Sequence, residues 1–358
     1  MDVLKKMAKY DHEQIVFCHD PVSGLKSIIA IHDTTLGPAL GGARMWNYWK
    51  EKDAFRDVLR LSRTMTYKNA AAGLNLGGGK AVIIGDPSIK SEALYRSFGR
   101  FIQTLGGRYI TAQDVNTSID DLMIIRNETE YVSGLPEHVG GAGDPSPFTA
   151  LGTLEGIKIS VLKRLGMKSL NGITVAVQGL GSVGSALCSL LHQKGAELIV
   201  TDTNEGCVQN TVKQFGATSV GAEEIYSVDA DVFAPCALGG IINDKTIPLF
   251  KFSVIAGAAN NQLYDEGKHG KILKEKNILY APDYIINAGG VINCYYEVIR
   301  QYNRESVETK VKGIYDTLAR IYDIAEKESI SPHIVAARFA EKRIELIGKR
   351  KRTYMKSG

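Results

Sequence analysis

The stretch Val175-Ala176-Val177-Gln178-Gly179-Leu180-Gly181-Ser182-Val183-Gly184 decides the fold. Its first four residues are typical of a buried strand, and its last six form a GxGxxG pattern that opens a helical segment. The pattern alone is weak, but a strand before it and a helix after it make it far more specific. Gly179 then permits a tight turn, Gly181 lets the backbone approach a pyrophosphate, and Gly184 lets the helix pack on the strand. The stretch therefore predicts a dinucleotide-binding turn.

The acidic residue after the next predicted strand indicates which dinucleotide binds. Asp202 follows the glycines by about the 20 residues at which an acid binds the ribose hydroxyls. The next residues, Thr203-Asn204-Glu205, include no arginine that would hold a 2′-phosphate. This favours NAD over NADP. The alternative is a glycine-rich structural turn followed by a surface aspartate.

Strand and helix patterns alternate along the whole chain, which is typical of parallel βαβ units. The predicted strands are residues 14–18, 26–31, 81–84, 108–111, 174–178, 197–201, 232–234, 254–256 and 279–281. The predicted helices are residues 52–67, 92–106, 149–165, 184–194 and the final stretch 305–349. The predicted fold class is therefore α/β with two domains, one of them a Rossmann-type doubly wound parallel sheet, and a cleft between them.

A cluster of glycine and proline at 140–147 marks a loop or hinge between the two domains. A length of 358 residues also agrees with two domains. The predicted domains are residues 1–140 and 146–328, and a terminal helix at 330–358 is expected to fold back on the first. The basic run Lys349-Arg350-Lys351-Arg352 is expected to be a solvated tail, although it could bind an acidic partner.

Composition excludes several classes of protein. A net charge of +4 is too mild for a dedicated nucleic-acid binder. No stretch approaches the roughly 18 apolar residues of a membrane helix, and the N-terminus lacks the apolar core of a signal peptide. Five scattered cysteines without a CxxC pair, and histidines without HExxH spacing, indicate reduced thiols and no metal site. We therefore expect a cytoplasmic protein without a metal.

Two lysines and an aspartate of the first half are candidate site residues. Lys80 follows three glycines and precedes the strand 81–84, so we expect it at the end of a loop that approaches a ligand. A lysine in a closed cleft, or beside a cation such as Lys68, can act as a base near neutral pH. Asp114 follows a strand end, where a carboxylate could exchange a proton with a substrate amine. The alternatives are two solvated surface lysines and a helix-capping aspartate.

Five ordered motifs resemble the amino-acid dehydrogenases of the Glu/Leu/Phe/Val family. They are Pro38-Ala39-Leu40-Gly41-Gly42-Ala43-Arg44, Met65-Thr66-Tyr67-Lys68, Gly77-Gly78-Gly79-Lys80, Ala256-Gly257-Ala258-Ala259-Asn260-Asn261-Gln262 and Pro282-Asp283-Tyr284-Ile285-Ile286-Asn287-Ala288-Gly289-Gly290. The resemblance runs from about Glu13 to Arg343. Within the family, Gly73-Leu74-Asn75-Leu76 is similar to the leucine dehydrogenase branch, and the phenylalanine dehydrogenases are the nearest relatives of that branch.

The resemblance implies reversible, NAD-dependent oxidative deamination of a branched-chain L-amino acid (leucine, valine or isoleucine) to its 2-oxo acid, with release of ammonia. It implies that residues 1–140 bind substrate and mediate oligomerisation, and that residues 146–328 bind NAD. The reaction would occur in the cleft between the domains, which hinge motion would close. A homo-oligomer is implied as well, with an octamer as the expected size.

The resemblance also assigns roles to individual residues. Lys80 would be the general base that activates water, and Asp114 would handle the amine proton. Lys68 would bind the α-carboxylate. The other residues implied to bind substrate are Leu40, Gly41, Gly42, Met65, Ala112, Asn261, Val291 and Cys294. The cofactor is implied to bind the glycine turn, which includes Ser182 and Val183, and Asp202. Six further residues are implied to bind it: Thr149, Cys236, Ala237, Ala258, Asn260 and Asn287.

Three positions depart from the pattern of the leucine dehydrogenase branch. Asn116 stands where glycine is usual, and Cys294 and Tyr295 replace smaller residues. These departures bear on substrate preference and not on the reaction type. One alternative is therefore a phenylalanine or broad-specificity aromatic amino-acid dehydrogenase. The other is a non-catalytic, NAD-binding regulatory protein, which would have no physical need for the lysines and the aspartate together.

Overall fold

A computed structural model describes the backbone of residues 2–354 and the side chains of residues 2–349. The chain forms two compact units. The first comprises the chain up to Asp144, Cys294–Tyr302 and the chain from Phe339 onward, and the second comprises Pro145–Asn293 and Asn303–Arg338. The cleft expected between the two domains stays a prediction. The side chains of the basic tail at 350–352 lie outside the described residues.

The first unit is built around a mixed sheet. Its elements are α1 (Val3–Tyr10), β1 (Gln14–Asp20), β2 (Leu25–Asp33), β3 (Ala39–Leu40), β4 (Ala43–Trp46), α2 (Glu51–Ala71), β5 (Gly77–Ile84), α3 (Glu92–Thr104), β6 (Tyr109–Ile110) and α4 (Ile119–Arg126). The strand order is β1-β2-β5-β3-β6, and β4 also pairs with β5. The pairs β1–β2 and β2–β5 are antiparallel, whereas β3 and β4 run parallel to β5. The apolar run in β2 is buried, as expected for a central strand.

The prediction that Lys80 ends a glycine-rich loop is wrong, because the three glycines and Lys80 are all residues of strand β5. A Cβ on Gly78 would lie 2.1 Å from the backbone nitrogen of Thr66 in α2. A Cβ on Gly79 would lie 2.7 Å from the ring of Tyr109 in β6. The glycines are therefore needed for close packing of α2 and β6 against β5.

The second unit contains an all-parallel sheet with the predicted doubly wound topology. Its elements are α5 (Ser146–Leu165), β7 (Thr174–Gln178), α6 (Ser182–Gln193), β8 (Glu197–Thr201), α7 (Glu205–Phe215), β9 (Thr218–Ser219), β10 (Val232–Pro235), β11 (Val254–Ile255), α8 (Glu266–Glu275), β12 (Leu279–Tyr280), α9 (Asp283–Ile286), α11 (Arg304–Lys312), α12 (Ile314–Lys327) and the first parts of α10 (Gly289–Val298) and α13 (Pro332–Tyr354). The strand order β12-β11-β10-β7-β8-β9 reverses between β7 and β10, which is the point where such folds bind dinucleotides. The predicted helical stretch 305–349 is three helices.

The end of α13 belongs to the first unit from Phe339 onward. Glu341 accepts a hydrogen bond from the hydroxyl of Tyr67 at 2.9 Å. Arg343 donates to the side-chain oxygen of Asn75, also at 2.9 Å. Ala340 is buried in an apolar cluster with residues of the first hundred positions. The C-terminal part of the chain therefore completes the core of the first unit.

Glu297 connects the short segment Cys294–Tyr302 to the rest of the first unit. Its carboxylate accepts hydrogen bonds from the backbone N–H groups of Gly134 at 2.8 Å and Ala142 at 3.2 Å. It also accepts one from the hydroxyl of Ser133 at 3.1 Å. Burial raises the pKa of Glu297, and these hydrogen bonds oppose the rise. This contact explains why the segment belongs to the first unit, although the predicted domain ranges place it in the second.

Within residues 2–354, no helix is both long enough and apolar enough to cross a membrane. The same residues contain no group of three histidine, cysteine or acidic side chains that could hold a metal ion. The five cysteines are free thiols, and three of them are buried.

Candidate active site

Three charged side chains meet in the first unit. The Nζ atom of Lys80 lies 3.0 Å from Oδ2 of Asp114, and Nε of Arg44 lies 3.1 Å from the same oxygen. Lys80 and Arg44 extend from the neighbouring parallel strands β5 and β4, and Asp114 follows β6. The side chains of Lys80 and Asp114 are only 8% and 16% exposed. Because little water screens these charges, the two cations interact strongly with the carboxylate of Asp114.

Asp114 is held in its ionised form. Burial alone would raise its pKa, but the charges of Lys80 and Arg44 and their hydrogen bonds outweigh burial and lower it. The helix-cap alternative for Asp114 is wrong, because Ser118 caps α4 and forms a capping box with Asp121. The carboxylate is therefore ionised and can accept a proton from a donor in direct contact.

Arg44 is a site residue that sequence reasoning missed. Besides Asp114, it contacts Oδ2 of Asp57 through its Nη1 atom at 3.1 Å. The hydroxyl of Tyr48 donates to the same oxygen of Asp57 at 2.7 Å. The available signal is the position of Arg44 at the end of the Pro38–Arg44 motif.

Several predicted substrate residues adjoin this charged group. A Cβ on Gly41 would lie 1.8 Å from the carbonyl oxygen of Gly79 and 3.4 Å from Cγ of Met65. A Cβ on Gly42 would lie 2.9 Å from Cβ of Asp114. Close backbone packing therefore requires both glycines, whatever else they bind.

Lys68 is a residue of α2 and is buried, as Lys80 is in β5. The alternative in which both lysines are solvated surface groups is therefore wrong. Leu40 and Cys294 are buried in the same unit, and Ala112 is partly buried. Asn261 and Val291 belong to the second unit, so their contacts with substrate stay predictions.

The glycine turn of the second unit has the geometry that the sequence predicts. Gly179 has a φ of +96°, and a Cβ there would lie 2.7 Å from Cβ of Ala237. A Cβ on Gly184 would lie 1.9 Å from the carbonyl oxygen of Gly179. A Cβ on Gly181, in contrast, would meet no atom within 4 Å, so its backbone faces open space. This open backbone at the start of α6, where no side chain caps the helix, fits the phosphates of a dinucleotide.

Asp202 lies at the carboxyl end of β8 and contacts the glycine turn. Its Oδ2 atom accepts a hydrogen bond from the N–H of Leu180 at 2.5 Å, and its Oδ1 atom accepts one from Asn204 at 2.7 Å. Each carboxylate oxygen has more than one acceptor position, so both can still receive ribose hydroxyls. Asp202 is therefore part of the turn and not an unrelated surface acid.

Other predicted cofactor residues follow the neighbouring strand ends. The amide nitrogen of Asn287 donates to the carbonyl of Ala258 at 3.0 Å and to the side-chain oxygen of Asn260 at 2.8 Å. The backbone N–H of Cys236, just after β10, donates to Gln178 at the end of β7. The hydroxyl of Thr149 in α5 donates to the carbonyl of Pro145, the residue before that helix. The structure therefore places Ala258, Asn260 and Asn287 together.

Comparisons with known proteins agree with this geometry. Residues 12–131 match the family model described as Glu/Leu/Phe/Val dehydrogenase, dimerisation domain. Residues 140–212 and 202–346 match the model described as Glutamate/Leucine/Phenylalanine/Valine dehydrogenase. Together the two models cover nearly the whole chain.

Individual relatives are similar over nearly their full lengths. The leucine dehydrogenase of Geobacillus stearothermophilus is 55% identical over 100% of this chain and 97% of the relative. The phenylalanine dehydrogenase of Lysinibacillus sphaericus is 51% identical over 96% and 91%. The crystal structure of L-tryptophan dehydrogenase from Nostoc punctiforme superposes with a TM-score of 0.83 at 48% identity, covering 96% and 99% of the two chains. The chain therefore belongs to the Glu/Leu/Phe/Val dehydrogenase family and is an amino-acid dehydrogenase, an oxidoreductase of a group that generally uses NAD(P).

Proposed function

We propose that this enzyme catalyses the NAD-dependent oxidative deamination of leucine, valine and isoleucine to their 2-oxo acids and ammonia, reversibly. The observation that supports it most is the shielded pair of Lys80 and Asp114, because this reaction needs a base for water and a group for the amine proton. The high identity to a leucine dehydrogenase supports the aliphatic substrate class. The match to a dimerisation domain supports a homo-oligomer, and the octamer rests on the family resemblance.

The residues of the first unit divide the proton transfers between them. When bound, NAD supplies the acceptor for the hydride that leaves the substrate's α-carbon. Asp114 accepts the ammonium proton of the bound amino acid and returns it to the departing ammonia. Lys80, in its neutral form, takes a proton from the water that adds to the imino carbon. Lys68 holds the α-carboxylate by charge, which keeps the α-carbon at a fixed distance from the base.

We expect NAD to be used at least about 100-fold better than NADP in kcat/KM. Asp202 would accept hydrogen bonds from the adenosine ribose, and its charge would repel a 2′-phosphate, which costs several kcal/mol. Steady-state NADH and NADPH formation, measured by absorbance, checks this ratio. In Asp202→Asn the preference for NAD over NADP should be smaller, because the charge that repels the 2′-phosphate is gone. The amide oxygen of the asparagine can still accept the hydrogen bond from the N–H of Leu180.

The matched control for the cofactor experiment is Glu205→Gln, which removes an exposed acid only three residues further along the chain. Its cofactor ratio should equal that of the wild type. Equal turnover of NAD and NADP by the wild type would contradict the role proposed for Asp202.

We expect leucine, valine and isoleucine to be the best substrates and glutamate to be the poorest. Leu40, Ala112 and Cys294, which we propose to contact the substrate side chain, are all uncharged. Burial raises the pKa of the Cys294 thiol to about 12, so it also stays neutral. A glutamate side chain would lose hydration there without gaining a partner, whereas each buried CH₂ of an aliphatic side chain gains about 0.8 kcal/mol.

The measurement compares kcat/KM for leucine, valine, isoleucine, phenylalanine and glutamate in the wild type and in Cys294→Val. The branched valine should lower activity on phenylalanine more than on leucine, because cysteine is slightly smaller and unbranched at its tip. One methylene discriminates by only about 10- to 200-fold, so the aliphatic substrates should lie close together. If kcat/KM for phenylalanine exceeds that for leucine by about tenfold, the aromatic amino-acid dehydrogenase alternative is favoured. If glutamate is the best substrate, the proposed side-chain pocket is wrong.

A further inference from the structure

The carboxylate of Asp114 is bound on one side only. Lys80 and Arg44 both contact its Oδ2 atom, at 3.0 and 3.1 Å. Among the described residues, no donor lies within hydrogen-bond distance of Oδ1. Two cations therefore share one oxygen, and the other oxygen of the same carboxylate is left to accept a further donor.

Arg44 is fixed in this position by a second acid. Asp57, on α2, accepts hydrogen bonds through one oxygen from Nη1 of Arg44 at 3.1 Å and from the hydroxyl of Tyr48 at 2.7 Å. Burial raises the pKa of Tyr48 and of Tyr109, the tyrosines that face this group, so both are neutral. The side chains of Arg44 and Asp57 are only 22% and 17% exposed. The guanidinium thus bridges two carboxylates in a rigid fork that a lysine cannot reproduce.

We propose that Arg44 is a positioning residue for deamination, which shares Oδ2 of Asp114 with Lys80 and so leaves Oδ1 to accept from the substrate amine. The inference rests on the roles proposed above for Lys80 and Asp114. Arg44 touches neither water nor substrate in this scheme. It acts through Asp114, because its positive charge and its hydrogen bond help to keep that carboxylate ionised.

Loss of Arg44 would change the protonation equilibrium of Asp114. Asp114 would lose one of the two cations that keep it ionised, so it would bind a proton more readily at low pH. Because the proposed reaction needs the ionised carboxylate, this change removes active enzyme at low pH. The acidic limb of the pH–rate profile would therefore move to higher pH.

The experiment records kcat/KM against pH for wild type, Arg44→Gln and Arg44→Lys, with NAD and an amino acid that the substrate panel shows to be turned over. In Arg44→Gln we expect the acidic limb to move up by about 1 pH unit or more, since an opposite charge shifts a neighbouring carboxyl by about 1 to 3 units. At a fixed pH on the acidic limb, kcat/KM of Arg44→Gln is then about tenfold or more below that of the wild type. Arg44→Lys restores the positive charge but not the forked guanidinium. The acidic limb of its pH–rate profile should therefore return toward the wild-type position, while its kcat stays below that of the wild type.

Arg60→Gln is the matched control, because Arg60 also contacts Asp57, at 3.4 Å, but is 62% exposed and does not touch Asp114. Its pH profile should equal that of the wild type. NADH binding and the melting temperature report whether each variant is folded. An equal loss at every pH in Arg44→Gln and Arg44→Lys would show a merely structural role and overturn the inference. Full activity of Lys80→Ala would instead overturn the proposed function.

Discussion

Replacing Lys80 with alanine is expected to lower kcat for leucine deamination by about 10² to 10⁴-fold, the usual contribution of general base catalysis. Only the neutral lysine can take a proton from water, so the wild-type rate should rise with pH. The variant should lose this dependence together with the rate. Its affinity for NADH, followed by fluorescence titration, should be unchanged, because Lys80 belongs to the first unit and the glycine turn to the second.

The matched control for this prediction is Lys26→Ala. Lys26 is an exposed lysine on β2, the strand that pairs with β5, so its removal changes the net charge equally. Turnover of the control should stay near that of the wild type. Near-normal turnover of Lys80→Ala would remove the lysine from the mechanism, whatever the control shows.

Lowering the pH toward 4 is expected to destabilise the protein by several kcal/mol, because two buried histidines resist protonation. The His32 ring bonds to Thr66 Oγ1 at 2.8 Å and to the carbonyl of Tyr10 at 3.0 Å. The His12 ring lies 2.9 Å from Ser62 Oγ, and the two ring centroids are 4.8 Å apart. Burial lowers the pKa of both histidines from 6.5 to about 4, with the charge of His32 also lowering that of His12.

The direction of the effect follows from proton linkage. Between pH 6.5 and about 4 the unfolded chain binds protons at both positions, whereas the folded chain does not. The free energy of unfolding therefore falls as the pH falls through this window, by about 3 kcal/mol per histidine at its lower end. Native domains are stable by only about 5 to 15 kcal/mol, so the loss is large.

Urea unfolding followed by tryptophan fluorescence at a series of pH values measures this loss. The double variant His12→Gln and His32→Gln should be less stable than the wild type at neutral pH but should vary less between pH 6.5 and 4. His19→Gln, which removes an exposed histidine of β1, is the control and should keep the wild-type dependence. If the free energy of unfolding of the double variant falls with pH as steeply as that of the wild type, groups other than these two histidines cause the acid sensitivity.

The parts of the fold that sequence predicts well depend on neighbouring residues. The turn from β7 into α6 needs only six consecutive residues, and each glycine of the pattern has the contact or the open space that its position implies. The alternation of strands and helices is equally local, and it predicts the doubly wound sheet of the second unit. In the first unit, the same local reasoning misread the glycines before Lys80. Their neighbours Thr66 and Tyr109 come from other elements, which no local pattern shows.

The parts of the candidate site that sequence missed depend on distant pairs. Arg44 and Asp114 are 70 positions apart, and Ser133 and Glu297 are 164 apart. Nothing in the residues around Arg44 or Glu297 indicates a buried acceptor or donor elsewhere in the chain. The sequence indicates Lys80 and Asp114 as candidate site residues, because their side chains can transfer protons. It does not show that they are in contact, because that contact depends on the sheet order, in which β5 and β6 lie on either side of β3.

The order of assembly follows from the way in which the first unit takes up the segment 294–302 and the end of α13. A ribosome makes the chain from the N-terminus, so the strands and helices before Asp144 emerge long before Glu297 and Ala340 do. Until then, the N–H groups of Gly134 and Ala142 lack their carboxylate, and the cluster around Leu36 lacks its terminal helix. The second unit receives most of its residues as one continuous stretch and can fold while synthesis continues. The N-terminal unit is therefore begun first and completed last.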